Sequence, residues 1–565
     1  MAGRVYAMKD FNTTHYPRER IPFADKLGNV MHLHAHKKYL EDETFRASTR
    51  EIDFKRRFVI RCEKRRLLLH LVFLLAASLS SLYSTLDPTS VSQHFAFYEL
   101  YPKTPEGREA LKHAWELLSG GCTDCDPELI LPSLDPKPLI NFVNRSGQES
   151  APLLNEEQLA VVEKLSRHLL NRPLKGFDLW DESAILSLPI EEIDLARGLL
   201  IAEMGQDPNK RQTVRSYEAN IDLMALQISA RLTPDSSPLE KIRAMNDYIF
   251  SEMRFRFPPH SLHAKDIDIY TFLPSVLDSR RGVCLGVSIL YLCLAQRLGV
   301  HLEAITPPGH IYVRYVAPNG DILNIETTAR GIDVPSEMYL GMETRKLQKR
   351  TIKEVIGLAF MNQAAVSWHR EDPKKAITLY EKARLFLGDD YLLNMFLGFN
   401  YLFDGREKEG RALLQKVQGV IPDHAIVSDT VTEDFLAGRA NAEAIQAIYS
   451  EVDESRDSII QKQKKLEKVV ADFPQFRQGV FHLATTWLQL GREKEALPIL
   501  EKYIAMNPQD PTVNYYIAAI HFQRRNFNKA WQYLRASESL VFAKEHKPRA
   551  LKELKAALKR ACPEP

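Results

Sequence analysis

Apolar, small and polar positions follow three different rhythms along this chain, and each predicts a different kind of element. In the C-terminal third, small residues recur at an interval of 34: Ala364 and Ala376 are followed by Gly398 and Gly410 at the same offsets. Ala484 and Ala496 are likewise followed by Ala518 and Ala530, and Pro474 and Pro508 repeat the interval just before new helices. Small side chains at fixed offsets let the two helices of a hairpin approach closely, while Leu500 and Phe527 fill the flanks. Leu490-Gly491-Arg492 supplies a tight turn between them. The interval blurs between Thr430 and Phe473, where one imperfect unit is expected.

The second rhythm lies between Thr233 and Glu337. Ser237, Pro238 and Glu240 form a capping box with proline at the first helical position, and Leu239, Ile242, Met245, Ile249 and Met253 then share one helix face. A further helix is expected over about Tyr270 to Ser279. From Cys284 onward the chain is apolar on nearly every side until Gly299, which predicts a central, buried helix stopped by glycine. Cys284 sits in its first turn, where unpaired N–H groups and the helix dipole stabilise a thiolate. Three short strands follow, over Leu302 to Thr306, His310 to Val316 and Ile322 to Thr328. The connection Pro318-Asn319-Gly320 suits a three-residue hairpin loop. That loop pairs Ala317 with Asp321 and hence Tyr312 with Glu326, which places His310 and Glu326 on one face as diagonal neighbours. A two-residue loop would put them on opposite faces.

The third rhythm is at the front. Residues 1–66 are polar and grow basic, ending in KRRFVIRCEKRR from Lys55 to Arg66, and an uncharged run then extends from Leu67 to Tyr83. A bilayer core ~30 Å thick takes about 20 apolar residues, so the run is short for a span, and His70 and its serines weaken it. The flanks nevertheless fit membrane targeting, since no Lys or Arg follows until Lys103. The segment reads as an uncleaved anchor or, from a start near Val59, as a signal peptide with Ala76, Ala77, Ser78 and Ser80 near its end. A buried soluble helix is the third reading. Export to the cell envelope, with membrane association through residues 67–83, is the expectation; a cytoplasmic protein is the alternative. Residues 84–210 read as irregularly connected helices, with Leu153, Leu159, Val162, Leu165 and Leu169 on one face.

Composition narrows the function. The 565 residues are 45% hydrophobic and 26% charged, which describes a folded chain of several domains rather than a disordered or fibrous one. Basic and acidic residues number 75 and 73, so no overall field favours nucleic acid. Six cysteines cannot form a disulfide scaffold. Cys122 and Cys125 make a lone CxxC, two ligands short of a tetrahedral zinc site, and leave a disulfide, electron shuttling or no chemistry open. No motif implies a cofactor or a metal.

A thiol at a helix start and a histidine oriented by a carboxylate make an activated-nucleophile arrangement. Arg281-Gly282-Val283-Cys284, the helix through Leu290-Tyr291-Leu292 and Ala295-Gln296-Arg297-Leu298-Gly299, Pro308-Gly309-His310, and Ile325-Glu326-Thr327-Thr328 together resemble the transglutaminase-like superfamily of papain-type cysteine enzymes. The resemblance spans roughly Arg211 to Glu337. The 34-residue repeat resembles the tetratricopeptide family over about Ile356 to Leu540, and the combination is similar to the bacterial SirB-type group. The resemblance implies an α+β fold: a mainly helical chain whose papain-like core packs a central helix on a small antiparallel sheet, followed by a tetratricopeptide α-solenoid. It implies a triad of Cys284 as nucleophile, His310 as base and Glu326 as orienting acid. Glutamate here replaces the aspartate usual in the superfamily, and many members of the SirB-type group have proline at the cysteine position.

The domains expected are an arm at 1–66, the apolar segment at 67–83, a helical region at 84–210, the transglutaminase-like domain at 211–345, the solenoid at 350–545 and a C-terminal helix and tail at 546–565. The function expected is thiol acyl transfer on an amide-containing substrate, hydrolysis ahead of crosslinking, with a protein or peptide held in the solenoid groove. An inactive core serving as a scaffold for protein–protein interaction is the alternative. Cys293, on the same helix as Cys284, reads as a buried hydrophobe. Asn324, Thr327 and Arg314 read as scaffold, with substrate-carboxylate binding a second option for Arg314; His260 and His263 lie in a loop before the site and could gate it.

Overall fold

The computed structural model describes residues 79–120, 135–144, 153–205, 207–258, 269–452 and 455–564. Cys122, Cys125, His260 and His263 fall outside them. The fold is α+β, with helices throughout and one small sheet.

The front of the described chain corrects the expectation of a membrane-spanning segment. Of the apolar run, Leu79–Tyr83 forms a helix of 5 residues and the rest lies outside the described residues. The helix stops at Ser84, whose hydroxyl turns back to the Ser81 carbonyl, and Tyr83 packs its ring against His94 and Phe97 of the helix Val91–Leu100. The end of the run is thus seated on a folded helix. Among the described residues no helix is long and apolar enough to cross a membrane.

Further helices, Pro105–Leu118, Lys137–Asn144 and Glu156–Leu165, complete this layer. Leu159, Val162 and Leu165 point inward as their spacing predicts, while Leu153 is 55% exposed. Helices Leu195–Met204 and Arg211–Ser229 follow. With the segment before them and the end of the central helix they bring three arginines and three carboxylates into the interior. Arg297 at the end of the central helix pairs with Asp222 at 2.6 Å and Asp194 at 4.0 Å, Arg172 also pairs with Asp222, and Arg197 makes a two-pronged contact with Glu218 at 2.6 and 2.7 Å. Charged residues on these helices carry no sequence signal of burial, because the same types line solvated faces elsewhere.

The capping box opens the helix Pro238–Asn246 as expected. Its last turn then widens into a π-helical turn over Asp247–Glu252, which adds Tyr248 and Phe250 to the buried face beyond the expected positions. After the helix Leu273–Ser279 comes the central helix, Cys284–Leu298, closed by Gly299 at φ +66°. Gly286 on its first turn is indispensable: a Cβ there would lie 2.3 Å from the Tyr270 carbonyl oxygen.

The sheet contains β1 (Glu303–Thr306), β2 (Tyr312–Val316), β3 (Ile322–Glu326), β4 (Ile332–Asp333) and β5 (Gln348–Arg350). They are antiparallel in the order β4-β3-β2-β1-β5. The β2–β3 register is the one the loop chemistry demands, with Val313 opposite Ile325 and the Ala317 N–H on the Asp321 carbonyl at 2.8 Å. Val313 and Ile325 belong to the main core together with the central helix; Ile305 and Tyr312 belong to a small second cluster with Val334 and Tyr339.

Helical hairpins follow: Ile352–His369 with Pro373–Leu387, Tyr391–Phe403 with Glu407–Val417, Arg477–Gln489 with Glu493–Met506, and Pro511–Gln523 with Phe527–Phe542. Ala364, Ala376, Ala484, Ala496, Ala518 and Ala530 are all fully buried. Where glycine replaces alanine the backbones come closer, since a Cβ on Gly410 would meet the Gly398 carbonyl oxygen at 2.9 Å. The blurred interval resolves into three helices, Thr430–Leu436, Ala442–Tyr449 and Arg456–Asp472, in place of one hairpin. A last helix spans Arg549–Ala561.

Residues 339–346, between the sheet's short helical turn Ser336–Tyr339 and β5, form a strap that leaves the sheet and lies on the repeats. Met342 is buried in the apolar core of the last hairpins with Val480, Val513 and Tyr516. The Gly341 carbonyl accepts from His546 Nε2 at 2.6 Å, and Glu343 accepts from the Thr512 hydroxyl at 2.8 Å. Thr344 forms an antiparallel bridge with Ala425, and Lys346 reaches Asp423 at 3.0 Å.

Candidate active site

Three elements meet at the start of the central helix. Cys284 is its first residue and is half-buried. Gly282 permits this approach, as a Cβ on it would press to 2.5 Å on the Val287 side chain. The approach is also pinned by backbone: Gly282 donates to the Arg256 carbonyl at 3.1 Å and Val283 to that of Tyr270 at 3.2 Å. Val283 offers no capping side chain, so the first-turn N–H groups have no acceptor from the cap.

His310 precedes β2 and Glu326 ends β3. The register brings them together: His310 Nε2 donates to Glu326 Oε2 at 2.7 Å, and the carboxylate is fully buried. A carboxylate only accepts, so Nε2 carries the proton. Glu326 Oε2 accepts a second bond from the Tyr339 hydroxyl at 2.7 Å, while Oε1 accepts from the Thr328 N–H at 3.1 Å and hydroxyl at 2.6 Å. Tyr339 also stacks on the His310 ring at 5.9 Å between centroids and on Tyr312 at 4.6 Å. The Thr327 hydroxyl meets that of Ser288 at 2.9 Å, which ties the end of β3 to the central helix.

His310 Nδ1 is buried and holds no hydrogen bond of regular geometry. The Cys284 thiol is nevertheless close enough to act on the ring by charge and by hydrogen bonding. Burial alone would lower the pKa of the ring; the Glu326 carboxylate and then Cys284 outweigh it and push it up to about 10. Burial, Glu326 and Tyr312 push the Tyr339 hydroxyl far above its ordinary range, which keeps it a proton donor to the carboxylate.

The three residues singled out from sequence are therefore neighbours. Cys293 is fully buried and burial pushes its thiol well above the ordinary range, as befits a packing residue. Arg314 commits its guanidinium to Asn324 at 2.9 Å, the Tyr312 hydroxyl at 2.8 Å and Ser336 at 3.0 Å, a scaffold role. Sequence reasoning missed Tyr339. It lies 13 residues beyond Glu326 across an irregular connection, where no helix or strand period relates the two. Among the described residues, no group of His, Cys, Asp and Glu is arranged to hold a metal ion.

Among solved structures, a thermophilic tetratricopeptide protein of Thermus thermophilus is 14% identical, covering 36% of this chain and 98% of its own, with a TM-score of 0.19. MamA from Desulfovibrio magneticus RS-1 is 13% identical, covering 34% and 97%, also at 0.19. The tetratricopeptide domain of P58(IPK) is 11% identical, covering 88% and 97%, again at 0.19. At such scores these likenesses carry no argument. No curated protein matches the chain. Residues 215–351, the stretch that holds Cys284, His310, Glu326 and Tyr339, match the family model described as the transglutaminase-like superfamily.

Proposed function

We propose that residues 215–351 form a cysteine enzyme that transfers acyl groups from amides, with Cys284 as nucleophile, His310 as base and Glu326 as the group that orients the ring. One observation carries the reading: a histidine whose Nε2 is fixed by a buried carboxylate while its Nδ1 has no hydrogen-bond partner, on a ring that interacts with a thiol at a helix start. In the reaction Sγ gives its proton to Nδ1, and a ring pushed up to about 10 keeps that proton at neutral pH, facing a carboxylate that also accepts from the Thr328 N–H and hydroxyl and from the Tyr339 hydroxyl. The sulfur attacks the amide carbon, and the oxyanion develops near the uncapped N–H groups of the helix's first turn. Collapse expels the amine with the proton from Nδ1 and leaves an acyl thioester. Water, deprotonated by the same nitrogen, then releases the acid. We place hydrolysis ahead of crosslinking, and we place the chain with the SirB-type group because the core is joined to C-terminal repeats.

The test is covalent labelling of the full chain with an electrophilic thiol probe. Wild type should be labelled at Cys284 and the Cys284→Ala variant should lose that label. Equal labelling of the two rejects an activated thiol. We also read the repeats as a protein-binding array, with the surface under residues 339–346 set apart because the chain itself occupies it.

A further inference from the structure

We infer that the repeats act on the active site in cis: by seating residues 339–346 they hold the Tyr339 hydroxyl on Glu326, which makes Tyr339 a positioning residue for the His310 ring. The inference rests on the reading of Cys284, His310 and Glu326 as one catalytic unit and names what keeps that unit in place.

Glu326 Oε2 receives both His310 Nε2 and the Tyr339 hydroxyl, each at 2.7 Å. Tyr339 also lies parallel to the imidazole, within 18°. It thus restrains the ring twice, by stacking and through the common acceptor. Tyr339 ends a helical turn of only 4 residues, Ser336–Tyr339, too short to hold a side chain by itself. The segment just beyond Tyr339 is anchored on the repeats. His546 holds the Gly341 carbonyl, Met342 is buried among the last hairpins, Thr512 holds Glu343, and the backbone of Glu343, Thr344 and Arg345 is paired with residues 424–426. The strap's contacts with the repeats come from residues at least 77 positions further along the chain. The repeats therefore hold a segment of the chain itself, and that segment starts at a tyrosine bound to the catalytic acid.

Losing the tyrosine hydroxyl removes a donor that competes with His310 for Oε2. The Nε2–H bond then tightens, and its proton resonance moves further downfield. The experiment follows that resonance by nuclear magnetic resonance in the full chain, in wild type, Tyr339→Phe and the seat variant Thr512→Val/His546→Leu. We expect a downfield displacement in Tyr339→Phe and one of the same sign in the seat variant, although Thr512 and His546 touch only the strap's far part. The pH profile of Cys284 alkylation by iodoacetamide should move to higher pH in both. A resonance unmoved in Tyr339→Phe overturns the positioning role. A resonance that moves there but not in a folded seat variant overturns the coupling to the repeats. If the seat variant does not fold, Glu343→Ala on the strap gives the same reading. The enzyme reading fails separately: a wild-type Cys284 that resists the probe rejects it, and the His310 resonance still reports on the strap.

Discussion

The two ends of the central helix sit in opposite polar environments. At its C-terminal end Arg297 belongs to a buried set in which Arg172, Arg197 and Arg297 face Asp194, Glu218 and Asp222, three charges against three. At its N-terminal end stands a half-buried thiol next to a histidine that has one nitrogen bound and one without a partner. Both ends are polar and both are enclosed by apolar core. The difference is that the first end balances its charges internally, whereas the second keeps a ring nitrogen open to exchange a proton with the thiol. A buried polar group that stays uncommitted beside a nucleophile marks chemistry; one matched by an opposite charge marks architecture.

That contrast can be broken from either side. The largest effect is expected at the closed end. Asp222→Ala leaves Arg172 and Arg297 without their common carboxylate in the interior and should cost about 3–5 kcal/mol in denaturant unfolding. His310→Gln at the open end, where a glutamine amide can still donate to Glu326, should instead slow Cys284 alkylation at neutral pH roughly 100-fold. If the two variants exchange these signatures, the distinction between the ends is wrong.

The pH dependence of unfolding sharpens the same point. The ordinary value for the His310 ring is 6.5 and in the folded site it is about 10. The folded state thus binds this proton more tightly, so the stabilisation is complete below about 6.5 and is lost as pH rises through about 10. Lys462 works in the opposite sense, because burial pulls its ammonium down to about 8. The difference between wild type and His310→Gln isolates the ring: the wild-type midpoint should fall more between pH 7 and 10. Parallel curves would contradict the raised value. The smallest effect is Ser288→Ala, which frees the Thr327 hydroxyl from the central helix and should cost about 1 kcal/mol.

Much of this was legible in the residues. Cys284 could be placed at a helix start because an all-round apolar run ends at Gly299 and begins beside Gly282. The His310–Glu326 pair followed from a three-residue turn, since register has a period of two and leaves no intermediate choice. The repeats were legible because close helix contact admits only small residues. What escaped was non-local or departed from a period. Tyr339 meets Glu326 only through tertiary folding. The arginines at 172, 197 and 297 look like surface residues until their acids are found on other helices. The π-helical turn at Asp247–Glu252 departs from the regular helical spacing on which the reading of that face rests. For the apolar run, composition alone does not say whether lipid or protein will cover a segment; in its described end, Tyr83 packs on Phe97 and His94.

The strap has a thermodynamic consequence. Residues 339–346 run between a turn and a strand of the sheet, while their middle is embedded in the last hairpins. Melting the hairpins would therefore strip Met342 of its cover and release the edge strand that follows it, so neither body can lose its order alone. Calorimetry of the intact chain should record these two bodies as one cooperative transition. A chain cut after Arg350 would keep the catalytic residues but present a bare methionine to water.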